Sequence, residues 1–186
     1  SGRGYVNDYS WSELQQLDAG SWFDVAFASQ RLPKLEDVLD LAKGKSAVFI
    51  EIKQGRKPYP GIEERVLACV EKFNMQQQVY IHSFEKDTLQ RLHRINPNIP
   101  IYLDLFFPPL LGQLFFERIV LRSPIMQYKT LCGVSINHHA ISAGLVRKVH
   151  ASGLEVLAWT VNKPQDIQRM RACGVDAIIS TFPERL

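Results

Sequence analysis

The stretch Ala47-Val-Phe-Ile-Glu-Ile-Lys53 decides how the rest of the chain is read. It is a short run of β-branched and aromatic residues, the composition of a strand covered on both faces. A strand alternates its side chains, so Glu51 and Lys53 share one face while Ile50 and Ile52 pack on the other. The same kind of run returns downstream as Val79-Tyr-Ile81, Ile101-Tyr-Leu103, Gly133-Val-Ser-Ile136, Glu155-Val-Leu-Ala-Trp159 and Val175-Asp-Ala-Ile-Ile179. Helical stripes separate several of these runs. Ile62, Val66, Leu67, Val70 and Phe73 form one, Leu89, Leu92 and Ile95 another, and Ile141, Leu145 and Val149 a third that Gly153 stops. A fourth helix is expected with Asn162 as its cap, Pro164 in its first turn and Gly174 at its end.

About six strands alternating with helices predict right-handed βαβ units around a parallel sheet, in a single domain covering residues 1–186. Two architectures meet that description. Polar or aromatic residues recur at the C-terminal ends of the strands: Glu51 and Lys53, His82 and Ser83, Asp104, Asn137, Trp159 and Asn162, Ser180 and Thr181. A (β/α)8 TIM barrel builds its site at that rim, from several strands at once. A doubly wound sheet concentrates its site at one switch point, and no Gly-x-Gly-x-x-Gly fingerprint is present. The α/β class with a (β/α)8 barrel is therefore expected. Such a barrel takes eight strands and about 250 residues. The six units here would leave two strand edges open, and association of like chains is one way to cover them.

Ahead of the first strand, Ser10-Trp-Ser-Glu13 fits a capping box. Pro33 is expected to start a second helix with Leu35, Val38, Leu39 and Ala42 on one face, closed by Gly44. Between the third strand and the fourth lies a long apolar region, residues 106–126. Its aromatics Phe106, Phe107, Phe115 and Phe116 read as core or as a greasy loop wall.

Composition narrows the function. The 186 residues are 46% hydrophobic and 22% charged, an ordinary globular balance. The formal net charge of +3 suits anionic ligands. Lys and Arg are scattered, however, so no nucleic-acid partner is expected. Cys69, Cys132 and Cys173 are widely spaced and odd in number. They are expected to be buried free thiols rather than a disulfide framework or zinc site. With no apolar leader behind Ser1, that cysteine usage points to the cytoplasm. No uninterrupted apolar run reaches the roughly 20 residues of a membrane span.

Glu51 and Lys53 carry the first chemical suggestion. A strand-end carboxylate can hold a hard divalent cation, and a neighbouring ammonium can hold a phosphate. Taken alone, the pair also reads as an ordinary Glu–Lys pair on an exposed strand end.

Six motifs in order carry a resemblance. Phe49-Ile-Glu-Ile-Lys53 resembles the Glu-x-Lys strand of the glycerophosphodiester phosphodiesterase family. So do Glu13-Leu-Gln-Gln-Leu-Asp-Ala-Gly-Ser-Trp-Phe23, Arg31-Leu-Pro-Lys-Leu-Glu-Asp-Val-Leu39, His82-Ser-Phe84, Gly153-Leu-Glu-Val-Leu-Ala-Trp-Thr-Val-Asn162 and Gly174-Val-Asp-Ala-Ile-Ile-Ser-Thr-Phe-Pro183, each against its own part of the family pattern. The resemblance implies hydrolysis of small-molecule glycerophosphodiesters to glycerol 3-phosphate and an alcohol. It implies a divalent metal, Ca2+ or Mg2+, with two histidines as acid and base. Glu51 would be a metal ligand, Lys53 would contact the phosphate, and Trp159 would line the pocket. His82 is added as a substrate-binding candidate from its place at the rim.

The family's His-Arg-Gly and Glu-x-Asp motifs have no match in these residues, so its catalytic histidines are expected upstream of Ser1 and the chain alone is expected to be inactive. Ser180-Thr181 also stands where the family has Thr-Asp. Of the other histidines, His93 and His150 are expected on helix surfaces or in packing, and His138 and His139 in a turn. Two alternatives remain open. One is a non-catalytic module that binds phosphate esters. The other is a different phosphodiesterase of the same superfamily, such as a phospholipase D-like toxin or a phosphoinositide phospholipase.

Overall fold

The structure is a computed structural model that describes residues 2–53, 59–108 and 116–186. It divides into two compact units, Ser1–Lys45 and Ser46–Leu186. The expected aromatic Phe115 lies outside the described residues.

The first unit holds two helices, α1 (Trp11–Leu14) and α2 (Leu35–Ala42). The capping box at α1 is present. The Ser10 amide donates to the Glu13 carboxylate at 2.7 Å, and the Glu13 amide donates back to the Ser10 hydroxyl at 3.3 Å. Helix α2 begins at Leu35 rather than at Pro33. Lys34 occupies the N-cap with extended backbone, and its amide donates to the Asp37 carboxylate at 2.9 Å, so the first turn is secured after the proline. Of the four residues expected on its buried face, Leu39 alone is fully buried. In the loop between the helices, Asp18 accepts from the amides of Gly20 and Ser21 at 2.9 and 2.8 Å. Those bonds hold its carboxyl below the usual aspartate range. The ring of Trp22 meets Phe23 edge-on, and Phe23 meets Phe27.

The second unit is a parallel sheet with helices between its strands. The strands are β1 (Val48–Glu51), β2 (Val79–Ser83), β3 (Ile101–Leu105), β4 (Leu131–Asn137), β5 (Glu155–Trp159) and β6 (Ala177–Ile178). Helices α3 (Ile62–Lys72), α4 (Lys86–Ile95), α5 (Ala143–His150) and α6 (Pro164–Cys173) make four of the five crossovers. A π-helical turn at Phe116–Val120 and a 3-10 turn at Pro124–Gln127 lie in the fifth, between β3 and β4. Every pairing is parallel, and the spatial order β1-β2-β3-β4-β5-β6 is the chain order. A doubly wound sheet reverses direction at its switch point, and this sheet never does. The fold is thus the (β/α)8 barrel type, represented by six parallel strands.

Alternation along the strands sorts the side chains into two layers. The outer set, including Val79, Ile81, Ile101, Leu103, Val134, Ile136 and Val156, is almost wholly shielded from solvent. Each such Val, Ile or Leu contributes about 1.5–3 kcal/mol on burial. The inner set differs. Toward the strand starts it is aromatic: Phe49 stacks on Tyr80 at 4.8 Å, and Tyr80 meets Tyr102 at 6.1 Å. The Tyr102 hydroxyl donates to the Glu155 carboxylate. Burial first, and then that hydrogen bond, push the phenol's pKa up. Toward the strand ends the inner set is polar.

Two local expectations are corrected. Asn162 is not the helix cap. Lys163 is the N-cap of α6, and the Asn162 side-chain Oδ1 instead accepts from the Ser180 hydroxyl and from the amide and hydroxyl of Thr181, at 3.0–3.2 Å. That amide satisfies the polar groups of the closing loop. The three cysteines are free, but they are half-buried rather than buried. Gly174 does end α6, in the left-handed conformation with φ of 80° that favours glycine. Among the described residues no helix is long and apolar enough to cross a membrane.

Gly133 permits the close approach of β4 to its neighbours. A Cβ there would stand 2.4 Å from the Glu155 carbonyl oxygen and 2.8 Å from the Tyr102 ring. Gly133→Ala is expected to lower stability by about 1–3 kcal/mol through overpacking, read as a shift of the urea midpoint at constant slope. An unchanged midpoint would show that the Tyr102–Glu155 contact yields without cost.

Candidate active site

Parallel register brings the inner strand ends together. Glu51 pairs with His82, Asp104 pairs with Ser135, and Asn137 pairs with Trp159. Residues two apart on a strand share its face, so Lys53 follows Glu51 toward the rim. These ends surround a cavity of about 560 Å³, within the range of small-molecule sites. Glu51, Lys53, His82, Asp104, Ser135 and Trp159 all line it.

At the mouth, the Lys53 ammonium lies 3.2 Å from the Glu51 carboxylate. The lysine side chain is 75% exposed and the glutamate 27%, so solvent screens the pair and it contributes little to stability. Its use is positional: one cation and one carboxylate face the same opening. Deeper in, the charges are paired and hydrogen-bonded. The Nδ1 of His82 lies 3.0 and 2.9 Å from the two carboxylate oxygens of Asp104, and both residues are buried. A carboxylate only accepts, so the imidazole donates from Nδ1 and its Nε2 is left for other partners.

Beside that pair, the Ser135 hydroxyl is completely buried and has no hydrogen-bond partner among the described residues. The indole Nε1 of Trp159 is likewise buried and unpartnered. The Trp159 ring meets Phe84 edge-on at 5.6 Å and Phe106 at 6.3 Å, which forms an apolar wall at the rim.

The remaining rim residues serve the framework. Asn137 accepts from the Phe107 amide at 2.8 Å and donates to its carbonyl at 3.2 Å, holding the chain as it leaves β3. Ser83 donates to the carbonyl of Ile52 at 2.7 Å. His138 and His139 form a 3-10 turn after β4. The Nδ1 of His138 accepts from Arg169 at 3.0 Å. Burial, more than the neighbouring His139, pushes the His138 pKa down. His93 stacks on Tyr128 at 4.3 Å and bonds Thr130, while His150 bonds Asp176 at 2.8 Å at the surface. Of the five histidines, His82 alone lines the cavity.

Sequence reasoning placed Glu51, Lys53, His82, Asp104 and Trp159 at the rim, and the structure gathers them there. It missed the His82–Asp104 bond, which spans 22 residues, and it passed over Ser135 inside an apolar run. Strict alternation from Gly133 would have put Ser135 on the inner face. For metal binding, no three His, Cys, Asp or Glu side chains cluster among the described residues. Glu51 is the rim carboxylate available to an ion, since Asp104 holds His82 and Glu85 accepts from Ser83. One carboxylate does not fit a calcium cage made by protein alone. It does fit the shared manner in which Mg2+ is held, by one or two carboxylates, water and a ligand's phosphate.

Comparison with known proteins agrees with this geometry. The model of the glycerophosphoryl diester phosphodiesterase family matches residues 1–185. A glycerophosphodiester phosphodiesterase of Caldanaerobacter subterraneus subsp. tengcongensis is 34% identical over 189 residues, which cover all of this chain and 73% of that protein. One from Bacillus altitudinis is 30% identical, over 98% of this chain and 72% of its own length. A phosphodiesterase of Oleispira antarctica, solved with the product sn-glycerol-3-phosphate, shares the fold with a TM-score of 0.74 at 23% identity, over 99% of this chain and 71% of that one. With its six parallel strands in barrel order and Glu51 and Lys53 at their open ends, this chain belongs to the glycerophosphoryl diester phosphodiesterase family.

Proposed function

We propose that the rim cavity holds a glycerophosphodiester, the substrate class named for the relatives, as part of a site that hydrolyses it to glycerol 3-phosphate and an alcohol. The observation that carries this reading is the Lys53 ammonium, 3.2 Å from the Glu51 carboxylate at the cavity mouth. An ammonium is a compact charge that can hold a phosphoryl oxygen, and as negative charge builds on the phosphoryl group in the transition state that attraction grows. Glu51 would offer one oxygen to a divalent ion, Mg2+ or Ca2+. When bound, such an ion polarises a phosphoryl oxygen. Trp159 and Phe84 keep one wall of the cavity apolar, which shields the bound ester from water on that side. His82, with its Nδ1 committed to Asp104, lines the same cavity.

Hydrolysis needs a proton taken from the attacking water and one given to the leaving alcohol. Two groups in separate roles do this in the chemistry that the family resemblance implies. His82 is the one histidine of the cavity. The chain by itself is therefore proposed to bind the phosphate ester without turning it over. A binding role without catalysis, in which Lys53 and the apolar wall hold the ester, is the second reading.

Three measurements separate these readings. Lys53→Ala is expected to weaken sn-glycerol 3-phosphate binding at least tenfold in calorimetry, the size of a lost charge-assisted hydrogen bond of about 1.5–3 kcal/mol. An unchanged affinity would remove the ammonium from the site. Adding EDTA to protein in Mg2+ is expected to weaken the same binding, and Glu51→Gln to abolish that dependence. Incubated with glycerophosphocholine and either Mg2+ or Ca2+, the chain is expected to release no choline above background. Sustained release would show that its own residues complete the catalytic set.

A further inference from the structure

Where β2 ends, Phe84 and Glu85 follow Ser83, and both line the cavity. Trp159, at the end of β5, lines it too. The rings of Phe84 and Trp159 stand at 86° to each other with centroids 5.6 Å apart, so they meet as two walls of a corner. Phe106 lies 6.3 Å from the Trp159 ring, tilted by 39°. Phe84 is 44% exposed and Phe106 71%, so the protein leaves aromatic surface uncovered here. Covering it with a ligand is favourable.

Uncovered aromatic surface alone takes any apolar group. Two observations narrow the choice. The first is the Glu85 carboxylate. It accepts from the Ser83 hydroxyl at 2.8 Å, a bond that holds it in place without neutralising it. Among the described residues no basic side chain forms an ion pair with it. The second is the charge distribution of the rings. An aromatic face is electronegative and attracts a cation, Trp most strongly. The chain's own cations meet other rings among the described residues: Lys34 lies over Trp11, Lys72 over Phe73 and Arg185 over Phe182.

A primary ammonium carries N–H groups that each need an acceptor. A quaternary ammonium has none, and its methyl groups bury on aromatic surface. Register joins this corner to the phosphate end. Glu51 pairs with His82, so Lys53 on one chain segment and Phe84 on the next, each two residues further on, run outward side by side. A ligand with a phosphate and a quaternary ammonium a few bonds apart fits both.

We infer that Phe84, Trp159 and Glu85 form a quaternary-ammonium subsite, so that the phosphate ester this cavity prefers is that of a choline-type alcohol. This rests on the proposed phosphate-ester function and adds to it the residues that set which alcohol is esterified. Phe84 and Glu85 determine specificity, because they act on the alcohol and not on the phosphoryl group. An alcohol that carries a carboxylate is repelled by Glu85.

The experiment is calorimetry on the full chain in Mg2+ with three monoesters, which a phosphodiesterase does not cleave: phosphocholine, 3,3-dimethylbutyl phosphate and sn-glycerol 3-phosphate. The first two share one shape, with carbon in place of the cationic nitrogen in the second. Phosphocholine is expected to bind tighter than this neutral isostere by about fivefold or more, the scale of a cation–ring contact. Glu85→Gln, which keeps an acceptor for Ser83, is expected to weaken phosphocholine by about fivefold and to leave the other two within about twofold. Phe84→Leu, apolar but without a ring, is expected to reduce the preference for phosphocholine in the same direction. Residues with a purely structural part would weaken all three ligands together and lower the thermal midpoint of the ligand-free chain.

Equal affinity of the parent for phosphocholine and its isostere overturns the ammonium subsite, and that comparison depends on no variant. A preference for phosphocholine that neither substitution changes overturns the assignment to Phe84 and Glu85. Binding of sn-glycerol 3-phosphate without phosphocholine overturns the subsite alone, whereas binding of none of the three overturns the phosphate-ester reading with it.

Discussion

The parallel ladder, kept in strict chain order, is the constraint from which the rest follows. Because each strand pairs with the next one in sequence, all six C-terminal ends emerge on one side. Because side chains alternate, each strand offers one residue set to the helices and another to the interior. The outer set is aliphatic and shielded, and it supplies most of the stabilisation. The inner set is freed from that task and can carry aromatic groups at one end and polar groups at the other. The cavity is thus a product of register. A slip of one residue in β2 would bury Ile81 inside and turn His82 outward.

Within the cavity, charge is graded by depth. The exposed Lys53 and partly exposed Glu51 meet solvent at the mouth, while the His82–Asp104 pair lies almost wholly shielded. The mouth pair is screened and adaptable, whereas the inner pair is rigid because its bond to two carboxylate oxygens leaves the ring little freedom. The two strand ends therefore present different electrostatic surroundings within one cavity.

How much of this was legible in the sequence depends on the range of the interactions. Val79-Tyr-Ile81 and Glu155-Val-Leu-Ala-Trp159 announce strands through local composition, and Gly174 announces a helix end through its backbone freedom. Glu51 and Lys53 could be placed at the rim because alternation is a local rule. Asn162 was misread because it resembles a helix cap in its own neighbourhood, while its actual donors, Ser180 and Thr181, are 18 and 19 residues away. The His82–Asp104 bond was invisible for the same reason, since no local pattern states that β2 and β3 lie side by side in that register. Ser135 was hidden differently. One hydroxyl in an apolar strand reads as filler until the structure shows that it has no partner among the described residues.

Asn137 illustrates how architecture can imitate chemistry. Its side-chain amide accepts a hydrogen bond from the Phe107 amide and donates one to the Phe107 carbonyl, as a neighbouring strand would. Aspartate at this position could accept but not give, and leucine could do neither. The range of tolerated residues is therefore narrow at a place outside the lining of the strand-end cavity. A survey of variants that scored function alone would register position 137 as sensitive and credit it with a part in the site. The loss would in fact trace to a misplaced exit from β3, which carries Asp104.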